Sequence, residues 1–330
     1  MANVFLERHR EQTRQAVVAN GGHPLPDELS FESGEAALRL ADANRSRGEL
    51  LVVLLSGGAS AMLAAPAPGV TLADKIAKTR ELLASGKPIA EINAVRTQLS
   101  SIKGGKLAAR AGRSITFAIS DVHAPIEDDP AVIGSGPTAG APFVLAGSRR
   151  DAMRGAREAA ERLGYDVHVL EPPVLGEASE AAGRWLPSEL ASSELLRCDL
   201  VASAFGRKIC VIASGETTVT LGDAPGKGGR NQELALAFAL GRGSDEPYAF
   251  ASIGTDGVDG PTDAAGAIVD ETTLARAKEK SLDAMAALQA HDSYSFFAAL
   301  GDHVITGPTG TNVGDLQVFL TSGSSPSPRR

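Results

Sequence analysis

Residues 226–233 (GKGGRNQE) set Lys227 and Arg230 among glycines at the start of an apolar helical run. Glycines expose backbone N–H groups, a helix N-terminus carries partial positive charge, and arginine grips phosphate or carboxylate through two parallel bonds. The segment suits an anion in transit, with Lys227, Gly228 and Gly229 as a cradle and Arg230 as the gripping cation. An interdomain salt bridge is the other use of the same arginine. The spacing is not GxxxxGK[ST], so this is no Walker A loop. Residues 254–266 (GTDGVDGPTDAAG) gather Asp256, Asp259 and Asp263 behind another apolar run. Carboxylates on a glycine-rich loop suit Mg²⁺, with Asp256 and Asp259 as ligands, and Asx turns or helix caps use aspartates equally, Asp263 above all.

Three further groups are weaker. Ser56, Gly57, Gly58 and Ser60 (SGGAS) form either a phosphate cradle or a tight turn without a ligand. Residues 93–106 (NAVRTQLSSIKGGK) read as a helix running into a glycine turn, on which Arg96 and Lys103, seven apart, share a face that could hold a carboxylate beside Asn93. Lys106 follows them, and solvent-facing positions are the plain alternative. Asp121 comes directly after a strand, where general bases and metal-holding carboxylates sit and where caps sit too. In residues 306–315 (TGPTGTNVGD), Thr311, Asn312 and Asp315 are polar, and Asn312 joins Asn93 as a candidate substrate contact. His23 and His291 read as structural, and no Ser-His-Asp order, zinc spacing or GxGxxG fingerprint stands out.

These loops need rigid elements behind them. Apolar runs at 50–55, 114–119, 209–213 and 248–253 each break into glycine, serine or aspartate, as strands buried on both faces of a parallel sheet do. Helical pattern covers 151–163, 231–240, 272–280 and 283–300. The alternation predicts an α/β fold, with a Rossmann-like parallel sheet over residues 1–205, a smaller C-terminal α/β domain over 206–322, and a disordered tail at 323–330. Ligands bind beyond the carboxyl ends of such strands, where the loops above lie.

Composition narrows the class. A chain of 330 residues has room for two domains, and 43% apolar with only 4% aromatic content predicts cores of Ala, Leu, Val and Ile. The net charge of -8 gives no overall basic field for nucleic acid. There is no signal-like start and no apolar run long enough for a membrane helix, which predicts a cytoplasmic chain with no membrane partner. Cys198 and Cys210 lack metal-ligand spacing and read as inert thiols.

Taken in order, GGHPLPD, LLSGGASAML, NAVRTQLSSIKGGKLA, DDPAVIGSGPT, SGETTVTL, GKGGRNQELALA, GTDGVDGPTDAAGAIVD, HDSYSFF and TGPTGTNVGDL resemble the glycerate 2-kinases whose C-terminal part is the MOFRL domain. The resemblance runs from about residue 21 to 320. It implies phosphorylation of D-glycerate, or a close 2-hydroxy acid, to the 2-phosphate with ATP and a divalent metal such as Mg²⁺, at a cleft between the domains. It makes Arg230 the catalytic arginine and Asp256 the start of the acidic motif. It also makes residues 56–60, with Ser135, Gly136 and Thr138, nucleotide- and phosphate-proximal loops. Some members carry the label hydroxypyruvate reductase, and a member that binds nucleotide or sugar acid without turnover is a further reading.

The family pattern also has a glycine-rich GKA segment upstream of the GHPxPD motif, whereas residues 1–20 hold neither glycine nor lysine. Residues 138–151 are short for the family, and HAPIE separates Val122 from DDP. The resemblance therefore leads to an expectation of ATP binding with slow or absent transfer and a tendency to self-associate as a homo-oligomer. Lys103 or Lys106 would partly supply the charge of the family's lysine.

Overall fold

The computed structural model describes residues 19, 21–22, 25–85, 89–185, 207–222, 225–243 and 247–322. His23, Cys198, nearly all of the first twenty residues and the tail at 323–330 lie outside them. The chain divides into two compact units, Met1–Ser148 and Arg149–Arg330.

The N-terminal unit opens on α1 (Glu28–Arg47), whose start is fixed by a capping box between Asp27 and Ser30. Strand β1 (Leu51–Leu55) leads into the short α2 (Ala59–Met62), then α3 (Leu72–Ala84), which has its own capping box between Thr71 and Asp74. Helices α4 (Ile89–Gln98) and α5 (Lys106–Ala111) precede β2 (Ser114–Ile119) and β3 (Phe143–Gly147). The sheet order is β1-β2-β3 and both pairings are parallel, as expected. Leu38, Ala41, Leu51, Ile102 and Leu107 form the main core of this unit, and Leu55, Ala118 and Ile133 a second cluster. The sheet departs from the expectation of burial on both faces. Val52, Leu54, Phe117 and Val144, which share one face, are exposed, so among the described residues that face is apolar and open.

The C-terminal unit begins earlier than the boundary read at 205/206. Helix α6 (Arg149–Arg162), β4 (Asp166–Val169), β5 (Val174–Glu177) and α7 (Ala178–Ala181) all come before β6 (Lys208–Thr218). Both β4 and β5 pair with β6 in parallel, and this pairing ties residues 149–185 to the C-terminal sheet. Helix α8 (Arg230–Arg242) follows, then β7 (Tyr248–Gly254), β8 (Gly266–Asp270), α9 (Thr273–Glu279), α10 (Ala284–Gln289), α11 (Ser293–Leu300), β9 (His303–Val304) and β10 (Asp315–Ser322). The order is β4-β6-β10-β7-β8-β9, and every pairing from β6 onward to β9 is antiparallel. The runs at 209–213 and 248–253 are therefore strands of a mixed sheet. The single helix read over 283–300 is two, parted where His291 takes φ 53.

This core is richer in rings than the composition suggested. Trp185, Phe238, Phe250, Phe297 and Phe319 lie in one buried cluster, with Phe238 stacked on Phe250 at 4.3 Å between ring centres. Aromatic pairs add about 0.5–1.5 kcal/mol each beyond burial. Cys210 is a buried free thiol, pushed up to about 11 by burial, which fits an inert role. Among the described residues no helix is long and apolar enough to cross a membrane.

Candidate functional site

In the N-terminal unit the site is built at the carboxyl ends of β1 and β2. Here Gly57 lies against Asp121: a Cβ at Gly57 would come within 2.0 Å of Asp121 Oδ2, so only glycine lets this loop close on the carboxylate. Ser60, on α2, accepts from Lys103 at both its carbonyl oxygen (2.7 Å) and its Oγ (2.6 Å). Ser60 Oγ lies 2.7 Å from Ser135 Oγ, which donates to Asn93 Oδ1 at 3.3 Å. Four residues picked from the sequence, Asn93, Lys103, Ser60 and Ser135, thus meet in one hydrogen-bonded chain. Thr138 does not join them, because its hydroxyl is bonded to Thr116 of β2.

Lys103 is not on a helix with Arg96, as the sequence suggested. Helix α4 stops at Gln98, and Ser100 Oγ then accepts from the N–H groups of Ile102 and Lys103, turning the chain before α5. The turn carries Lys103 inward until it is 1% exposed. Burial first, then Arg96 and Lys75, hold its ammonium well below the usual lysine range. Lys106 is the first residue of α5 and donates to the carbonyls of Thr97 (2.7 Å) and Ser100 (2.6 Å).

Lys75 was missed in the sequence. It is only 3% exposed, and its pKa is lowered to about 8 by burial, with Arg96 and Lys106 adding. The signal that could have found it is a stripe: Lys75, Thr79 and Leu82, spaced i, i+4, i+7 on α3, are all buried. A lysine on the inward stripe of a helix is rarely there for packing.

In the C-terminal unit Arg230 is the first residue of α8. It is clamped by Asp315 at the head of β10, Nε to Oδ2 at 2.7 Å and Nη2 to Oδ1 at 2.9 Å, while Nη1 reaches Glu216 at 2.9 Å. The Asp315 side chain is 0% exposed and that of Arg230 31%. Burial works against the guanidinium, but Asp315 and then Glu216 outweigh it and raise its pKa above the usual range. Three of the five guanidinium N–H groups are used by these contacts, which leaves two for a ligand. So Arg230 makes salt bridges within its own unit and still faces solvent.

The acidic loop splits into different uses. Asp259 is buried and caps α8: its oxygens accept from the backbone N–H of Asn231 (3.0 Å) and Gln232 (2.9 Å) and from both of their side-chain amides. Gly229 is needed here, since a Cβ would fall 2.3 Å from the Asp259 carboxyl carbon. Burial pushes the Asp259 carboxyl up, and the donated bonds pull it back. Asp263 accepts from the Tyr294 hydroxyl at 2.6 Å, so it too is structural. Asp256 makes an Asx turn through Oδ1 to the N–H of Val258 at 3.0 Å, and Asn312 accepts from the N–H of Gly314 at 2.9 Å. No group of three or more potential metal ligands is gathered among the described residues.

The rest of the GKGGRNQE loop is held by the α10–α11 turn. Lys227 Nζ sits 3.8 Å above the Tyr294 ring, a cation–π contact, and its backbone N–H donates to Asp292. Asn231 ties the arginine clamp to the cap, donating to Asp315 at 3.0 Å and to Asp259 at 3.3 Å. Asp315 was visible in the sequence only as one polar loop residue, and nothing local marks it as the partner of Arg230.

Two family patterns match: residues 2–154 match a domain of unknown function (DUF4147), and residues 209–315 match the MOFRL family. A putative hydroxypyruvate reductase of Agrobacterium vitis is 37% identical, over 92% of this chain and 87% of that protein. The glycerate 2-kinase of Pyrococcus horikoshii is 34% identical, over 94% of this chain and 79% of the relative. A crystal structure of the Thermotoga maritima glycerate kinase superposes with a TM-score of 0.79 at 33% identity, over 91% of this chain and 80% of that one.

Proposed function

The chain belongs to the glycerate 2-kinase family, and we propose that it transfers the terminal phosphoryl group of ATP to the 2-hydroxyl of D-glycerate. The observation that carries this reading is the clamped Arg230, a cation fixed by two carboxylates at a helix start with donors to spare. In such a transfer the substrate oxygen bonds to phosphorus as the bond to ADP breaks and the hydroxyl proton leaves. Negative charge spreads over the moving group, and catalysis is mostly positioning and charge stabilisation. Arg230 would meet that charge without having to reorganise. The N-terminal cluster of Asn93, Arg96, Lys103, Ser60 and Ser135 would hold an anionic substrate.

Mg²⁺ fits the residues present. It takes one or two carboxylates and completes its shell with water and phosphate oxygens, so a three-residue cluster is not required. Asp256 is half-buried with Oδ1 alone engaged, and Asp121 closes on a loop that only a glycine can line. Asp256 in its own unit, or Asp121 in the other, would hold the ion, whose chemistry is to neutralise charge on the phosphates. Asp259, committed to its cap, is left out of the metal role.

A coupled assay distinguishing 2- from 3-phosphoglycerate is expected to show ATP-dependent formation of the 2-phosphate. Phosphorylation at C3, or NADH oxidation with hydroxypyruvate as the name of the Agrobacterium vitis relative suggests, would overturn the reading. The metal assignment has its own check. Asp256→Asn is expected to raise the Mg²⁺ concentration for half-maximal rate severalfold while the melting temperature stays put; a lower melting temperature with an unchanged Mg²⁺ curve returns Asp256 to a turn-forming role.

A further inference from the structure

Lys75 is a cation buried at a cost that nothing among the described residues offsets. It is 3% exposed, yet among the described residues its ammonium has neither a hydrogen bond nor an ion pair. Burying a charge without a partner is unfavourable by several kcal/mol in general, so such a lysine persists where a counter-ion arrives from outside.

The surroundings point the same way. The charges that bear on Lys75 are Arg96 from α4 and Lys106 from α5, and those on Lys103 are Arg96 and Lys75; all are positive. Among the described residues Lys103 has only neutral partners, the two Ser60 oxygens. Lys106 bonds only carbonyls, and Arg96 has no bonded partner among the described residues. Acids on α3 itself are occupied elsewhere: Asp74 caps at Thr71 and Glu81 pairs with Lys78. Four cations thus share a small region with Asn93, Ser60 and Ser135, and the charges that bear most on Lys75 and Lys103 are themselves cations. Repulsion of this kind destabilises the empty protein and is relieved by one bound anion.

We propose that Lys75, with Arg96, binds the carboxylate of the 2-hydroxy acid acceptor. The assignment rests on the phosphoryl-transfer reading for the identity of the acid, while the anion site itself rests on the four cations. A carboxylate is favoured over a phosphate because the other polar groups of this region, the Asn93 amide and the Ser60 and Ser135 hydroxyls, suit a small polyhydroxy acid. The depressed ammonium adds a pH signature. Lys75 loses its proton near pH 8, below an ordinary lysine, so acid binding weakens as pH rises through that value.

The test is calorimetric titration of the full chain with D-glycerate, glycolate, ADP and inorganic phosphate, at pH 7 and pH 9, for the wild type, Lys75→Met, Lys75→Arg and the exposed control Lys78→Met. Expected for Lys75→Met is a loss of D-glycerate affinity of about tenfold or more, with ADP affinity unchanged and the melting temperature unchanged or raised. Wild-type affinity for the acid should fall between pH 7 and pH 9; Lys75→Arg should keep binding and make that fall smaller, the remainder coming from Lys103. Lys78→Met should behave as wild type. Loss of ADP or phosphate binding in place of acid binding would overturn the carboxylate assignment, as would unchanged affinity for every ligand. Wild-type binding of glycolate but not D-glycerate, lost in Lys75→Met, upholds the site while the glycerate reading fails.

Discussion

Arg230→Ala is expected to lower kcat about a thousandfold, in line with arginines that stabilise transferring phosphoryl groups, while KM for ATP and D-glycerate moves far less. The split follows from geometry. A side chain fixed by Asp315 and Glu216 cannot bend to follow a ground-state ligand, so in the proposed reaction it would act where charge develops. The variant also strands Asp315, a carboxylate with 0% exposure, which still has Asn231 as a donor. Stability must therefore be followed beside rate, because an unpaired buried charge costs about 3–5 kcal/mol. Arg230→Lys separates the two effects, since it keeps a charge near Asp315 but loses the bidentate fork. A kcat near wild type for Arg230→Lys together with a large loss in Arg230→Ala would assign the effect to folding. An unchanged kcat in both would leave Arg230 as a salt bridge alone.

Asp259→Ala is expected to cost about 3–5 kcal/mol, the range for removing one member of a buried charged network. In a unit of this size that is a fall of about 10 °C or more in melting temperature. Four donors, two backbone and two side-chain, lose their acceptor at once, and Asn231, which also braces Asp315, is among them. Asp259→Asn should lose less, since its remaining oxygen can keep the backbone bond to Asn231. Thermal melts with and without Mg²⁺ check the assignment. An unchanged melting temperature coupled to a raised Mg²⁺ requirement would make Asp259 a metal ligand after all.

Several elements were legible in the sequence because their signals are local. The run LVVLL is set by its β-branched and apolar residues and the start of α8 by the glycines before it, and both lie where the residue pattern puts them. Strand direction is another matter. A strand with a neighbour on each side is apolar whichever way the neighbours run, so the antiparallel pairing of β7 with β8 and β10 left no mark on YAFASI. The site was half legible for a similar reason. Arg230 announces itself, but Asp315 lies 85 residues away and its loop gives no hint of the guanidinium it holds. Lys75 hides by the opposite route: in LADKIAKTRELLA it looks like one of several solvent-facing charges, and only the packing of α3 turns it inward. Asp259 was read as a ligand for Mg²⁺ because sequence shows an acceptor without showing what donates to it.

The place of β10 in its sheet has a consequence for synthesis. Among the described strands, residues 315–322 are the last in chain order to leave the ribosome, yet they lie between β6 and β7, with registers spanning Lys208 to Gly215 on one side and Tyr248 to Gly254 on the other. Until they emerge, β6 and β7 are two nascent edges with no common neighbour. The same strand brings Asp315, so the arginine at the head of α8 has only Glu216 to steady it while the 85 residues up to Asp315 are made. The order of the chain therefore makes completion of the sheet and assembly of the arginine clamp a single event, and a polypeptide stalled before residue 315 carries every loop of the site without the clamp.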